Sequence, residues 1–216
     1  MSEPEFLTTT RSAYDAAADE YAATFRNTLQ DSPFDRAMMG VFAELVRQGG
    51  AKPVADLGCG PGRVTAYLHG LGLDVFGVDL SPQMLAIARE EQPRLRFEEG
   101  SLTALDIGDG SLGGLVSRCS IIHTPPERLG EVFAEFHRVL APGGYALLIF
   151  FANPDASQLA WPFDHGVTLA YRLSIDHVAA LLDSAGFAET ARLIEQPGED
   201  SLRGFEFAHF LVRRPD

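Results

Sequence analysis

Apolar side chains recur at helical spacing twice within the first fifty residues. The first stripe has offsets of 0, 3, 4, 7, 8 and 11. The second stops at Gly49-Gly50, where a helix commonly ends. The stripes consist of Tyr14, Ala17, Ala18, Tyr21, Ala22 and Phe25, and of Phe34, Met38, Val41, Phe42, Leu45 and Val46. The pattern predicts two amphipathic helices over residues 1–50.

After residue 50, short apolar runs alternate with amphipathic stretches. The runs predict strands at 53–57, 74–79, 95–98, 112–120 and 145–151, with helices at 62–69, 82–91 and 125–139. An irregular stretch over 152–170 precedes a helix capped by Ser174 and stopped by Gly186, and strands at 188–195 and 205–213 follow. This order predicts an α/β fold, with a doubly wound parallel sheet and helices on both faces.

Composition narrows the class of protein. The 216 residues suit one α/β domain. No apolar stretch reaches the ~18 residues of a membrane span, and the acidic start lacks a secretion signal. Two cysteines without metal-ligand spacing indicate reduced thiols in a cytoplasmic protein with no metal. The net charge of −13 makes nucleic acid an unlikely partner. The sequence leaves the oligomeric state open.

A glycine-rich turn follows the first predicted strand. Its residues 56–62 read Asp-Leu-Gly-Cys-Gly-Pro-Gly, and such glycines let the backbone turn sharply and approach a ligand closely. Asp79 ends the second strand, where a carboxylate can accept hydrogen bonds from a ribose. These features predict a nucleoside cofactor. Arg63 occupies the third position of the dinucleotide spacing G-x-G-x-x-G/A, which disfavours nicotinamide and flavin cofactors.

Three motifs, in order and at family spacing, resemble those of the class I S-adenosylmethionine-dependent methyltransferases. They are the turn at 56–62, Val-Asp-Leu-Ser-Pro-Gln-Met-Leu at 78–85 and Leu-Ala-Pro-Gly-Gly at 140–144. The resemblance implies a Rossmann-like, seven-stranded sheet whose last strand inserts antiparallel beside strand five. It divides the single domain into a helical lid over 1–50, a cofactor-binding core over 51–151, and an acceptor-side loop and C-terminal hairpin over 152–216.

The resemblance implies a set of residues that bind S-adenosylmethionine. Asp56 would lie near the methionine amino group, unless backbone donors satisfy it. Asp79 would bind the ribose. It could also cap the helix that begins at Pro82, although Ser81 is the better cap. Ser101 stands where many relatives carry an acidic residue, and Arg63 is expected to be solvated. The full set is Tyr21, Asp56, Gly58, Cys59, Gly60, Asp79, Leu80, Met84, Ser101, Leu102 and Arg118. Tyr14 and Tyr21 either contact the cofactor from the lid helix or pack in the hydrophobic core.

Other residues point to the methyl acceptor. His123 follows strand four, where it could bind the acceptor or remove its proton, or be held by backbone groups at a helix start. Four side chains around the loop after strand five predict an aromatic or apolar pocket, or else they cover the core: Phe151, Trp161, His165 and Tyr171. Thr124 and Glu127 break the Asp/Asn-Pro-Pro-Tyr motif of amino-directed DNA methyltransferases.

The sequence therefore favours methyl transfer to a small molecule by in-line displacement. Protein substrates remain possible, since an acidic groove could attract a basic peptide. Two alternatives from other classes of function also remain open. One is a cofactor-binding domain that is catalytically silent and serves as a sensor or assembly partner. The other is a dinucleotide-dependent oxidoreductase, which Arg63 argues against.

Overall fold

The computed structural model describes residues 3–50, 52–198 and 204–216. The chain begins with three helices and continues with strands and helices in alternation. The helices are α1 (Glu5–Thr24), α2 (Thr28–Asp31), α3 (Pro33–Gln48), α4 (Arg63–Gly70), α5 (Pro82–Glu91), α6 (Leu129–Val139) and α7 (Ile175–Ser184). Short 3-10 helices occupy Ile121–His123 and Pro126–Arg128. The second lies ahead of α6, where the sequence predicts one helix from Pro125.

All the described strands belong to one sheet. They are β1 (Val54–Leu57), β2 (Val75–Asp79), β3 (Arg96–Glu99), β4 (Leu112–Arg118), β5 (Leu140–Asn153), β6 (Ala160–Asp164), β7 (Leu169–Ser174), β8 (Ala188–Glu195) and β9 (Glu206–Arg213). The order β3-β2-β1-β4-β5 is parallel, and β9 lies antiparallel between β5 and β8. The predicted Rossmann-like sheet with an antiparallel last strand is confirmed.

The sheet has nine strands, whereas the resemblance implied seven. The additional pair is the antiparallel hairpin of β6 and β7. The prediction of an irregular stretch over 152–170 was therefore wrong for residues 160–164 and 169–170, and also for residues 152–153, which extend β5. β4 reaches only Ile149 of β5, and β7 pairs with Ala152 and Asn153 beyond that point. Beyond Ile149, the edge of β5 that faced β4 is free, and the β6–β7 hairpin pairs with β5 there. The hairpin therefore lies next to the carboxyl end of β4.

Two hydrophobic layers enclose the central strand. Leu148 and Phe150 of β5 are buried in one layer, and Leu147 and Ile149 are buried in the other, as predicted for a strand covered on both faces. The expected N-caps are also present, because Ser81 accepts from the Met84 amide and Ser174 from the His177 amide. Among the described helices, none is long and apolar enough to cross a membrane.

Candidate functional site

A cavity opens at the carboxyl ends of β1, β2 and β4, beneath α1. Its empty space, including the part that is open to solvent, is about 810 Å³. Ten of the residues predicted to form the site line it: Tyr21, Gly58, Gly60, Asp79, Leu80, Met84, Ser101, Leu102, Arg118 and His123. Residues that the sequence did not suggest also line it, among them Phe6, Arg11, Cys119 and Ser120, together with Tyr14, whose role the sequence left open.

The glycine turn shapes one wall of the cavity. Gly58 and Gly60 have φ angles of +77° and +51°, a region that side chains rarely adopt. A Cβ atom on Gly58 would lie 2.2 Å from the Ser120 Cβ, so this glycine permits close packing between β1 and the segment after β4. A Cβ on Gly60 would meet no atom within 4 Å, so it would project into open space. Gly60 therefore presents bare backbone to a ligand.

The Asp79 carboxylate joins this turn to the start of α5. Its Oδ2 accepts a hydrogen bond from the Gly60 amide at 2.7 Å, and its Oδ1 accepts one from the Ser81 amide at 2.9 Å. Burial raises the pKa of Asp79, and these backbone donors oppose the rise. A carboxylate oxygen has more than one lone pair, so the fixed group can still accept from a ligand hydroxyl.

Helix α1 is held over the cavity by polar contacts near its first half. The Arg11 Nε donates to the Leu80 carbonyl at 3.2 Å. The Asp15 Oδ1 accepts a hydrogen bond from the Ser81 hydroxyl at 2.6 Å and another from the backbone amide of Gln83 at 3.1 Å. These contacts fix α1 to the beginning of α5, as a lid would require.

The second half of α1 is held by Arg63. Its Nη2 donates to the carbonyl of Ala22, and burial lowers the pKa of its guanidinium. The expectation that Arg63 is solvated is therefore met only in part, because its half-buried side chain also reaches α1. No local sequence signal connects positions 41 residues apart.

His123 lies between the lid and the β6–β7 hairpin. Its Nδ1 is 2.9 Å from the Leu169 carbonyl oxygen, and its Nε2 is 2.7 Å from the Tyr14 hydroxyl. A carbonyl oxygen only accepts, so Nδ1 carries the proton and Nε2 accepts from Tyr14. Burial lowers the pKa of His123, while the bond to Leu169 opposes this. The imidazole is therefore neutral near pH 7.

Comparison with known proteins agrees with this geometry. Residues 54–144, which include the glycine turn, Asp79 and the segment before β5, match the model of a methyltransferase domain. The chain belongs to the class I S-adenosylmethionine-dependent methyltransferases. The cofactor of the family suits the cavity, because Gly60 leaves a cradle that a Cβ would fill and Asp79 offers a carboxylate there.

The relatives of this methyltransferase act on different acceptors. It is 35% identical over 149 residues to a demethylmenaquinone methyltransferase of Chlorobaculum parvum, covering 66% of this chain and 61% of that protein. It is 29% identical over 175 residues to the 18S rRNA (guanine-N(7))-methyltransferase bud23 of Schizosaccharomyces pombe, covering 73% and 62%. The chain thus spans less than two thirds of either curated relative's length.

A solved structure shares the whole fold. The 1,6-didemethyltoxoflavin-N1-methyltransferase of Burkholderia thailandensis, determined with 1,6-didemethyltoxoflavin and S-adenosylhomocysteine bound, has a TM-score of 0.76 and 24% identity. The match covers 100% of this chain and 92% of that one. At this level of identity the likeness establishes the fold alone.

Two predicted cofactor residues of the methyltransferase have side chains that do not line the cavity. Asp56 is buried and accepts a hydrogen bond from the Thr65 hydroxyl at 2.6 Å, and burial raises its pKa to about 7. Cys59 packs with Leu85, Ala88 and Phe97, and burial raises the pKa of its thiol well above the usual value. The predicted contacts of these two residues with the cofactor stay predictions.

None of the four predicted acceptor residues lines the cavity, but two of them, Phe151 and His165, belong to a ring cluster beside it. Phe151 and Phe163 meet edge to face at 5.4 Å, and the His165 ring lies 5.2 Å from that of His123. Trp161 lies on β6, and Tyr171 on β7 packs against the larger hydrophobic layer. The cluster borders His123, and its contact with an acceptor stays a prediction.

Arg118 belongs to a buried polar group that sequence reasoning missed. Its Nε donates to the Asp35 Oδ2 at 2.6 Å, and the His209 Nε2 donates to the Asp35 Oδ1 at 2.7 Å. Burial alone would raise the pKa of Asp35, but the bond from His209 and the charge of Arg118 lower it. The possible ligand atoms of Asp35, Glu195 and His209 lie within 4.8 Å of one another. Arg118 already supplies a cation there, so this group is a structural ion pair.

Proposed function

We propose that this methyltransferase transfers a methyl group from S-adenosylmethionine to a small-molecule acceptor by in-line displacement. The observation that carries the proposal is the cradle formed by bare Gly60 backbone and the Asp79 carboxylate beneath a lid fixed to α5. The lid and the β6–β7 hairpin both reach His123, which suits a compact acceptor better than a polymer.

The protein's contribution is alignment of two reactants. S-adenosylmethionine, when bound, supplies a methyl group already activated on a positively charged sulfur. Asp79 would hold the ribose, and Leu80 and Met84 would pack on the nucleoside. Arg118 lines the same cavity. Tyr21 closes the cavity from α1, while Ser101 and Leu102 border the predicted adenine position. Holding reactants in line accounts for a large share of catalysis in such reactions.

The substrates of the relatives and the net charge of this chain both bear on the class of acceptor. The relatives named above are methyltransferases of demethylmenaquinone, of 1,6-didemethyltoxoflavin and of 18S rRNA. Thirty acidic and seventeen basic residues give this chain a net charge of −13, which opposes binding to a phosphate backbone. We therefore place a small molecule ahead of RNA.

Calorimetric titration with S-adenosylhomocysteine tests the cofactor site, with NADH as comparator. We expect S-adenosylhomocysteine to bind and Asp79→Asn to weaken it by about 1–3 kcal/mol, because an amide cannot accept from the Gly60 and Ser81 amides at once. Asp74→Asn, in an exposed loop, is the matched control. Binding of NADH alone would contradict the proposal, and binding without transfer to any acceptor would favour a sensor domain.

A further inference from the structure

Both ring nitrogens of His123 already have partners. Nδ1 donates to the Leu169 carbonyl at 2.9 Å, and Nε2 accepts from the Tyr14 hydroxyl at 2.7 Å. The basic lone pair of His123 therefore faces the Tyr14 oxygen. Tyr14 and His123 both line the cavity, and the Tyr14 hydroxyl covers that lone pair.

The lid completes this arrangement. Tyr14 belongs to α1, His123 to the segment after β4, and Leu169 to β7, so the three groups meet only when α1 lies closed. Asp15 follows Tyr14 in the chain, and its bonds to Ser81 and Gln83 fix this turn of α1 to α5. The position of the Tyr14 hydroxyl is thus set from two sides, by Asp15 and by His123.

Aromatic rings surround the hydrogen-bonded pair. The Tyr14 ring meets Tyr21 edge to face at 5.6 Å and meets the His123 ring at 5.3 Å. His165 extends this row, 5.2 Å from His123. Rings at such distances prefer edge or offset contacts, so a flat ring entering the cavity would find favourable partners.

We propose that Tyr14 and His123 form a proton relay that serves an acceptor bearing an O–H group on an aromatic ring. This assignment rests on the proposed methyl transfer and names the acceptor class for the same cavity. Tyr14 is the group that contacts the acceptor, and His123 is the base behind it.

Two protons move along the relay when the methyl group is transferred. The acceptor proton passes to the Tyr14 oxygen while the Tyr14 proton passes to Nε2 of His123. The electron pair left on the acceptor forms the new bond to the methyl carbon. The electron pair of the broken carbon–sulfur bond stays on sulfur, which becomes neutral. His123, now positively charged, releases its proton to solvent when the lid opens.

The chemistry of the base selects the acceptor class. A neutral imidazole is a weak base, so it serves groups of moderate acidity such as a phenol, which ionises near pH 10 as tyrosine does. An aliphatic hydroxyl is too weakly acidic for it. A carboxylate or a thiolate is already ionised and needs no relay.

Nuclear magnetic resonance of the imidazole nitrogens tests the hydrogen-bonded chain without an acceptor. In the full chain saturated with S-adenosylhomocysteine, we expect His123 to be neutral with its proton on Nδ1. Tyr14→Phe keeps the ring and removes the hydroxyl, so it should shift the Nε2 resonance downfield and leave Nδ1 protonated. Tyr67→Phe on α4, in the opposite hydrophobic layer, should shift neither. A proton on Nε2, or no response to Tyr14→Phe, would overturn the relay.

Transfer of radiolabelled methyl to phenol and to 4-nitrophenol tests the acceptor class. Phenol must lose a proton just above neutral pH, whereas 4-nitrophenol is largely ionised there. We expect Tyr14→Phe to lower kcat with phenol by about 100-fold or more, and with 4-nitrophenol by much less. Equal losses would overturn the relay, and labelling of neither phenol would overturn the class. Failure of S-adenosylhomocysteine to bind would instead contradict the proposed function, and so the two failures are distinguishable.

Discussion

Two acidic residues show how neighbours decide what a carboxylate does. Asp56 on β1 and Asp79 on β2 lie on adjacent parallel strands. Asp79 lines the cavity and accepts two backbone hydrogen bonds that fix its orientation. Asp56 is 1% exposed and accepts from Thr65. The first is positioned to bind a ligand, and the second is a buried group that resists ionisation.

Asp56 should make stability depend on pH. Its pKa is about 7 in the fold and near the ordinary 3.8 in the unfolded chain. Between these values the folded state binds more protons, so the free energy of unfolding falls as pH rises from about 4 to about 7. The fall is at most about 4 kcal/mol, from about 1.4 kcal/mol for each pKa unit.

Asp56→Asn cannot ionise, so we expect urea denaturation across this window to show a smaller decline than in the unmodified protein. The amide oxygen can still accept from Thr65. Titration of the same variant with S-adenosylhomocysteine separates the two roles of Asp56. A loss of affinity would support the contact with the methionine amino group, whereas an equal pH decline in both proteins would contradict the burial argument.

Gly58 and Gly60 should respond differently to alanine. Gly58→Ala places a Cβ 2.2 Å from that of Ser120, so we expect it to destabilise the fold by about 1–3 kcal/mol or more. Gly60→Ala meets no atom and costs about 1–2 kcal/mol for its left-handed backbone. Its methyl group would occupy the cavity, so its main effect should be weaker S-adenosylhomocysteine binding. Thermal unfolding and calorimetry on both variants measure these effects, and equal effects of the two would contradict the account.

At the scale of elements, polar contacts attach α1 at the cavity edge, as the proposed role of a lid requires. Arg11 and Asp15 bind the start of α5, and Arg63 binds the last turn of α1. Only three residues of this 20-residue helix are buried. A helix held mainly by hydrogen bonds at a cavity edge can open without disrupting the hydrophobic layers.

Asp15→Ala should loosen the lid. It removes the acceptor for both the Ser81 hydroxyl and the Gln83 amide, which weakens closure by about 1–2 kcal/mol. We expect faster amide hydrogen exchange along α1 and weaker binding of S-adenosylhomocysteine, with the exchange of β5 unchanged. Asp19→Ala, exposed on the same helix, is the control. Unchanged exchange in α1 would show that other contacts hold the lid.

At the scale of the molecule, one buried ion pair joins three distant segments. Asp35 on α3 accepts from Arg118 at the end of β4 and from His209 on β9. The pair links the N-terminal helices, the cavity wall and the last strand. Because Arg118 borders the cavity, this pair also fixes part of the cavity wall.

Asp35→Asn should therefore destabilise the whole protein. It leaves the Arg118 cation without its charged partner, which costs about 3–5 kcal/mol for a buried pair. Because the pKa of Asp35 is lowered in the fold, its contribution is present above pH 3.8 and is lost as the pH falls through the folded value. Urea denaturation measures the loss. Glu44→Gln breaks the exposed pair with Arg47 and should change little, so similar effects of the two variants would contradict the structural role.

The sequence by itself determined the features that depend on neighbouring residues. The helical stripes, the caps at Ser81 and Ser174, the glycine turn and the carboxylate at the end of β2 are local patterns, and they predicted the fold and the cofactor. They also predicted that His123 lies at the carboxyl end of β4, where the cavity is.

Only the tertiary structure decided which side chains meet. The hydrogen bond between Tyr14 and His123 joins residues 109 positions apart. The hydrogen bond between Asp35 and His209 joins residues 174 positions apart. The one between Arg63 and the Ala22 carbonyl joins residues 41 positions apart. The β6–β7 hairpin likewise depends on where β4 stops along β5. Spacing within one element carries no information about contacts between distant elements. Such contacts arise from how the elements pack, and for that reason the cofactor class could be predicted from the sequence, whereas the partners of His123 and Arg118 could not.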